Sequence, residues 1–407
     1  MLLLEVNMWD VIIIGAGASG LMCAIEAGKR GRRVLVLDHS KRGGQKIMIC
    51  GGGRCNFTNL SVEPSNYICA NPHFVRSCLS RYTQWDFIAL VDKHKISWHE
   101  RDHGQLFCDE SAIQIVDMLL KEARDAKVKI QLNCTIEAQK KIADNHFSLS
   151  TSCGEYQCQS LVIATGGLSY AVTGATALAY EIAQSYEIPV RKTRPGLVPL
   201  TFSKDHRKIL EKLSGISLTA TLTTSEKSGK KAKKISFTDS MLFTYSGLSG
   251  PVVLQISNYW EPGNELSIDL LPQQSLSRLL EESLKDNPNQ ELKTLLSQLL
   301  PKRLIETLLF SENLKNLPVK QYNHKDLEAI NSLFHNWQPS IGGTKWYKTA
   351  EVTLGGIDTD YISPKTMECK TVKGLYFTGE ALDVTGWLGG YNLTFAWSSG
   401  WAAGQDV

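Results

Sequence analysis

No stretch of these 407 residues approaches the roughly 20 consecutive apolar positions of a membrane-spanning helix, so no membrane association is expected. The opening Met1-Leu2-Leu3-Leu4-Glu5 run is short, has no positively charged leader and passes almost at once into a strand, so it does not read as a signal peptide. No C-x-x-C pair occurs among the ten cysteines, nine of which precede residue 160, and a zinc site finds no support in that spacing. Without export, the thiols read as those of a cytoplasmic protein rather than a disulfide frame. Charge of one sign is also scarce. Forty-four basic against 41 acidic residues leave a net charge of +3, which does not mark an obligate nucleic-acid binder, so any such contact has to come from a local patch. The histidines are scattered, with only His99 and His103 four apart, and no metal is expected. A second G-x-G-x-x-G and internal repeats are missing as well.

What is present supports a large core. With 43% hydrophobic and 21% charged residues the chain is not disordered, and its length suggests two or three domains. Val11-Ile12-Ile13-Ile14 is a continuous apolar run, as expected of a strand buried on both faces of a parallel sheet. Gly15-Ala16-Gly17-Ala18-Ser19-Gly20 follows, then a small-residue helix from Leu21 to about Arg30 and a second strand, Val34 to Leu37, ending at Asp38. In this arrangement Gly15 makes the tight turn, Gly17 admits a pyrophosphate to the backbone and Gly20 lets helix pack on strand. The phosphate sits at the positive helix end, and Asp38 accepts from the adenosine ribose. Dinucleotide binding is the expectation.

Further along, Gly43 to Asn59 reads as a strand-poor loop, and a capping-box pattern at Ser111 opens a helix to about Ala126. Val128–Ile136, Phe147–Ser152 and Leu161–Ala164 read as strands. From Pro195 the texture changes to alternating Thr/Ser-rich antiparallel segments up to Leu271, then to a leucine-rich helical stretch, Ser275 to Phe310. Glycine-rich α/β character returns near residue 343 and ends in a helix from about Asn392 to Ala403. The expected organisation is a Rossmann-like α/β domain made of residues 1–194 and 343–407. It is interrupted by a domain over 195–342 that carries helices at about 275–315.

Two later segments favour FAD over NAD(P). Ile163-Ala164-Thr165-Gly166-Gly167 resembles the second sequence mark of two-dinucleotide-type flavoproteins. Thr378-Gly379-Glu380 with Asp383 resembles the segment that meets the ribityl chain, and it leads through Gly386, Gly389 and Gly390 to a helix start that suits the flavin N1–C2=O edge. The expected cofactor-binding set is Gly15, Gly17, Ala18, Ser19, Gly20, Asp38, Lys46, Gly52, Gly53, Arg54, Ala164, Thr165, Gly166, Gly379, Glu380, Asp383, Gly390, Tyr391, Asn392 and Leu393.

Longer blocks add a family resemblance. Gly51-Gly52-Gly53-Arg54-Cys55-Asn56, Leu242-Phe243-Thr244, Gly247-Leu248-Ser249-Gly250-Pro251 and Ala350-Glu351-Val352-Thr353 are among them. So are Gly389-Gly390-Tyr391-Asn392-Leu393 and Ala396-Trp397-Ser398-Ser399-Gly400. Together they resemble the bacterial HI0933-like (YhiN/BaiN-type) flavoprotein family over nearly the whole chain. The resemblance implies an FAD domain made of both chain ends, with an inserted β-barrel-like domain carrying a helical subdomain. It also implies reduction of an electron-poor C=C, either the uracil ring of ribosomal RNA or a steroid-like enone. An older family label, amine oxidation, fits less well. Departures from the family pattern are Cys50 and Cys369 in place of Ser, Asp38 in place of Glu, Ala171-Val172 after Tyr170, and Leu178-Ala179.

For catalysis, hydride transfer from flavin N5 with NAD(P)H as transient reductant is the expectation. Cys55, Arg54 and Tyr391 are the candidate catalytic side chains. A rival reading takes Cys50 and Cys55 as a C-x4-C redox pair. Three consecutive glycines oppose the helix such a pair normally occupies. A third reading is a flavin-binding protein without turnover. Lys227, Lys230, Lys231, Lys233 and Lys234 form the one dense basic run, read either as a solvated turn or as a contact with RNA phosphates.

Overall fold

Val11 to Ile14 and Val34 to Leu37 are at most 3% exposed, which only a sheet covered on both faces provides. Each such side chain contributes about 1.5–3 kcal/mol of burial. In the computed structural model, which describes residues 7–228 and 231–407, these runs lie in a seven-stranded sheet. Met1–Glu5 and Lys230 fall outside the described residues, as do the side chains of residues 226–232. The strand Asn7–Ile14 pairs in parallel with Val34–Leu37 on one side and Gly154–Ile163 on the other. Lys129–Gln131 extends the sheet beyond Val34–Leu37. Gly154–Ile163 is shared: its first half pairs antiparallel with His146–Thr151, and its last three residues pair in parallel with Leu375–Phe377. The C-terminal segment thereby joins a sheet begun more than 300 residues earlier.

The chain divides into two compact units, residues 1–194 with 351–407 and residues 195–350, each with its own apolar core. Residues 343–350 pack with the second unit, rather than with the first as the boundary near 343 has it. The reason is that Ile341–Thr344 pairs antiparallel with Leu200–Phe202. That unit holds a six-stranded antiparallel sheet ordered 266–269, 217–228, 231–244, 247–249, 200–202, 341–344. Helices Leu276–Asp286, Leu292–Leu296 and Lys302–Ser311 follow the leucine stripe, and His324–His335 is a further helix beyond the expected 275–315.

Several local expectations change. The stretch from Gly43 to Asn59 contains a short helix, Gln45–Ile49, and a strand, Asn56–Asn59, because tertiary pairing with Gln105–Cys108 supplies the strand with hydrogen bonds. At Ser111 no capping box forms: the helix is Ile113–Asp125, and the Ser111 hydroxyl accepts from Ile113 N–H at 3.3 Å. Val128–Ile136 is not one strand but ends at Gln131 and resumes at Ile136. The first helix starts earlier than expected, at Ala18.

The last helix, Tyr391–Gly404, is almost wholly buried. A Cβ at Gly400 would lie 2.3 Å from the Ser19 carbonyl oxygen, and one at Gly404 would lie 2.8 Å from that of Cys23. The helix therefore runs parallel to Ala18–Lys29 in near backbone contact. On its other side Trp397 donates to the Phe57 carbonyl at 2.9 Å and stacks on Phe87 at 4.4 Å. Among the described residues no helix is long and apolar enough to cross a membrane.

Candidate cofactor and active site

Three loops leave the parallel sheet at one edge, and backbone hydrogen bonds fix their register. Gly15 N–H donates to Leu37 C=O at 2.8 Å, Ala164 N–H to Ile14 C=O at 2.8 Å, and Thr378 N–H to Ile163 C=O at 3.1 Å. The turn after the first strand, the 164–167 turn and the 378–380 turn thus stand side by side at the carboxyl ends of the strands. Ligands of open α/β sheets bind at that edge.

The glycine turn divides its tasks as its spacing suggests. Gly15 has φ +111°, and a Cβ there would lie 2.4 Å from Ala164 O. One on Gly20 would lie 2.0 Å from Gly15 O, so helix and strand touch. At Gly17 a Cβ would meet nothing within 4 Å: this glycine keeps space open rather than relieving strain. Gly17 also caps Ala18–Lys29 without any side-chain hydrogen bond, and the first turn holds no acidic residue. Such a bare helix N-terminus suits an anion.

Asp38 ends the second strand. Its Oδ2 accepts from Ala16 N–H at 2.6 Å, and its Oδ1 accepts from the Ser40 N–H and hydroxyl. It positions the turn as well as offering its remaining lone pair. Two hydroxyls nearby, Thr165 Oγ1 and Thr378 Oγ1, are buried without a partner, and Gly166 has open space at its missing Cβ. Unsatisfied hydroxyls, an uncapped helix end and cavities held by glycine fit a bound dinucleotide. The group assigned to them is FAD.

Lys46 and Glu380 pair with each other in a compact network. Lys46 Nζ ion-pairs with Glu380 Oε2 and donates to Ser169 Oγ at 2.7 Å. Ser169 in turn donates to Glu380 Oε1 at 2.6 Å, and Thr353 N–H reaches the same oxygen at 2.9 Å. Thr353 Oγ1 accepts from Leu168 and Ser169 N–H at 2.8 and 3.1 Å. Tyr170, at φ +55°, places its ring 5.7 Å from Lys46 Nζ. Glu351 immediately precedes the strand Val352–Ile357 that carries Thr353. Burial raises its carboxyl above the usual range, against the lowering influence of Lys46. Ser169, Thr353, Thr378 and Glu351 were missed from sequence as site residues. Glu351 and Thr353 left a trace there inside a family block, and Thr378 inside the segment that resembles a ribityl contact.

Most of the other expected residues have contacts within the chain. Asp383 accepts from Ala70 N–H at 3.2 Å and pairs with Arg191 at 3.4 Å. The Asn392 side chain spans its own loop, accepting from Gly386 N–H at 2.8 Å and donating to Gly386 O at 3.0 Å, so it shapes the helix start. Gly390, at φ +94°, caps that helix, and a Cβ there would lie 2.4 Å from Thr58 O. Tyr391 is 7% exposed, and its carbonyl accepts from the Tyr67 hydroxyl at 3.0 Å. Gly379 sits at φ +66° against Ser19, and its N–H donates to Ser399 Oγ at 3.1 Å. Ala18 and Leu393 are partly buried against the core. Gly52 and Gly53 stand at φ +67° and +86°, and Arg54 is exposed. Cys55 is fully buried with its thiol against Cys50. Of the lysine run, Lys233 and Lys234 are exposed on the strand Lys231–Thr244. Among the described residues no cluster of His, Cys, Asp or Glu could hold a metal.

Comparison with known proteins agrees with this geometry. The family pattern described as "HI0933-like protein Rossmann domain" matches residues 9–406. The chain is similar to a protein of Escherichia coli (strain K12) named ribosomal RNA dihydrouridine synthase, at 48% identity over 98% of both chains. It is also similar, at 28% identity over 97% of both, to a Clostridium scindens protein named 3-dehydro-bile acid delta(4,6)-reductase. Among solved structures, a 3-ketosteroid-delta4-(5alpha)-dehydrogenase from Rhodococcus jostii RHA1 shares the fold, with TM-score 0.53 and 14% identity over 99% of this chain and 97% of that one.

Proposed function

The chain belongs to the HI0933-like family of FAD-dependent oxidoreductases, and from that premise we propose that it saturates the C5=C6 bond of uracil in ribosomal RNA, with NAD(P)H as the electron donor. The observation that carries the substrate is the 48% identity, over 98% of both chains, to a protein named for that reaction. When bound, FAD supplies the hydride.

The chain's own residues supply the rest. Backbone N–H groups at the start of Ala18–Lys29 receive the pyrophosphate, and Asp38 accepts from the ribose. Thr165 and Thr378 offer hydroxyls that are otherwise unpaired. Lys46, fixed by Glu380 and Ser169, holds a positive charge at the same edge. A proton must reach the second carbon of the reduced bond. Cys55 is buried beside Cys50, burial raises the Tyr391 phenol, already a far weaker acid than a carboxyl, and the Arg54 guanidinium does not give up its proton. Glu351 is the acid we assign, since burial keeps its carboxyl protonated to a higher pH than an ordinary glutamate.

Nucleoside mass spectrometry of ribosomal RNA from strains with and without the gene tests the reading. Dihydrouridine is expected to disappear in the deletion and return with the wild-type gene. Unchanged dihydrouridine overturns the substrate assignment. Anaerobic mixing with NADH or NADPH is expected to bleach the flavin, and a flavin that stays oxidised with both removes NAD(P)H from the scheme. Glu351→Gln is expected to lower turnover about a hundredfold while flavin reduction stays normal.

A further inference from the structure

Cys50 and Cys55 close a single turn. Gly51, Gly52 and Gly53 between them take φ values of +59°, +67° and +86°, and Cys55 itself sits at +49°. Left-handed backbone at successive positions folds the chain back on itself, and Cys55 N–H donates to Cys50 C=O at 3.0 Å. That backbone bond holds the two cysteines at the two ends of one tight turn, where the Cys50 thiol also reaches the Asn56 carbonyl at 4.0 Å. A disulfide needs this kind of proximity between Cα atoms and between side chains.

Access to the pair is asymmetric. Cys50 is partly exposed, whereas Cys55 is fully buried. Their electrostatics are asymmetric too. The hydrogen bond from Cys55 lowers the Cys50 thiol, with help from Lys46 and against burial and Glu351. The same bond, together with burial, raises Cys55 well above an ordinary thiol. One partly exposed cysteine whose thiol is lowered, beside one buried cysteine whose thiol is raised, is the arrangement of an attacking and a resolving cysteine.

We propose that Cys50 and Cys55 form a peroxide-reactive dithiol, a reversible disulfide site in the glycine turn that follows the Lys46 helix. The Cys50 thiolate attacks one oxygen of hydrogen peroxide. The O–O bond breaks, hydroxide leaves and takes a proton from solvent, and Cys50 becomes a sulfenic acid. The Cys55 thiol then attacks that sulfur. The S–O bond breaks, water leaves with the Cys55 proton, and the S–S bond forms. Two thiols and one peroxide give one disulfide and two waters, with the two sulfurs oxidised by two electrons and the peroxide oxygens reduced.

The full-length, FAD-loaded protein is treated with hydrogen peroxide, alkylated and digested with trypsin, which cuts after Lys46 and Arg54. The disulfide then joins the peptide of residues 47–54 to that of residues 55–76, with fragment ions placing the bond on Cys55 rather than Cys69. The joined pair is expected with peroxide and is expected to vanish on treatment with dithiothreitol. Cys50→Ser is expected to abolish it. Cys55→Ser, which leaves Cys50 without a resolving partner, is expected to carry Cys50 on to the sulfinic acid. The Cys134–Cys153 contact provides a comparison within the same chain. Cross-linking there with none at Cys50–Cys55, or over-oxidation of Cys50 in the wild type without a joined peptide, overturns the proposal.

Discussion

Ser169 donates its hydroxyl to Glu380 at 2.6 Å, although 211 residues separate them, and Lys46 closes the triangle by contacting both. The triangle ties the 164–169 turn, the 378–380 turn and the helix Gln45–Ile49 into one unit at the cofactor edge. Glu380→Ala leaves Lys46 and Thr353 N–H without their acceptor. It is expected to lower stability by about 1.5–3 kcal/mol, the range for a hydrogen-bonded charged group, and to weaken flavin retention. Glu380→Gln is expected to be milder. Thermal melts with and without added FAD read both effects, and a Glu380→Ala melt equal to wild type contradicts the network's role.

Gly17 and Gly20 are expected to fail in opposite ways. Gly17→Asp places a good cap at an open position and a negative charge at the helix N-terminus, so the apo-protein should be as stable as wild type or up to about 1 kcal/mol more stable. The same charge repels a pyrophosphate, so flavin absorbance per protein should collapse. Gly20→Ala forces a methyl toward the Gly15 carbonyl and should destabilise the apo-protein by about 1–3 kcal/mol. Equal apo-protein melts for the two variants would count against this division.

Glu122 links stability to pH. Burial pushes its carboxyl up, but hydrogen bonds from Lys93 and His94 outweigh that and hold it at about 2, against an ordinary 4.5. A depressed folded-state value means that its contribution is fully present above about pH 4.5 and is lost as pH falls toward 2. With screening by solvent around Lys93, the contribution is about 1–2 kcal/mol. Glu122→Gln should lose that amount at pH 7 and show a flatter stability profile between pH 4.5 and 2. Denaturant melts across that range measure it.

Lys233 and Lys234 are the exposed, described part of the basic run. If they contact RNA phosphates, the double variant Lys233→Ala/Lys234→Ala should weaken binding of ribosomal RNA fragments independently of sequence. It should also reduce the slope of log affinity against log salt by about 1 per lost contact. An unchanged slope returns the run to a solvated surface.

The dinucleotide turn was legible in the sequence because its constraints are local. Gly15 needs a positive φ, Gly20 needs contact distance, and the apolar runs at Val11 and Val34 need two covered faces. The discontinuous cofactor unit was legible from texture, since buried parallel strands and Thr-rich antiparallel strands differ in pattern. The partners of charged side chains were not legible. Asp383 pairs with Arg191 and Asn392 bonds its own loop, contacts that no local pattern announces. Lys46 meets Glu380 only because Leu375–Phe377 pairs with Gly154–Ile163 and sets both turns at one edge. Cys50 and Cys55 show the division within six residues. The sequence alone determined that three consecutive glycines would oppose a helix between them. Only the tertiary structure decided which cysteine is buried and which partly exposed, because burial and the position of Lys46 depend on strands and helices far away in the chain.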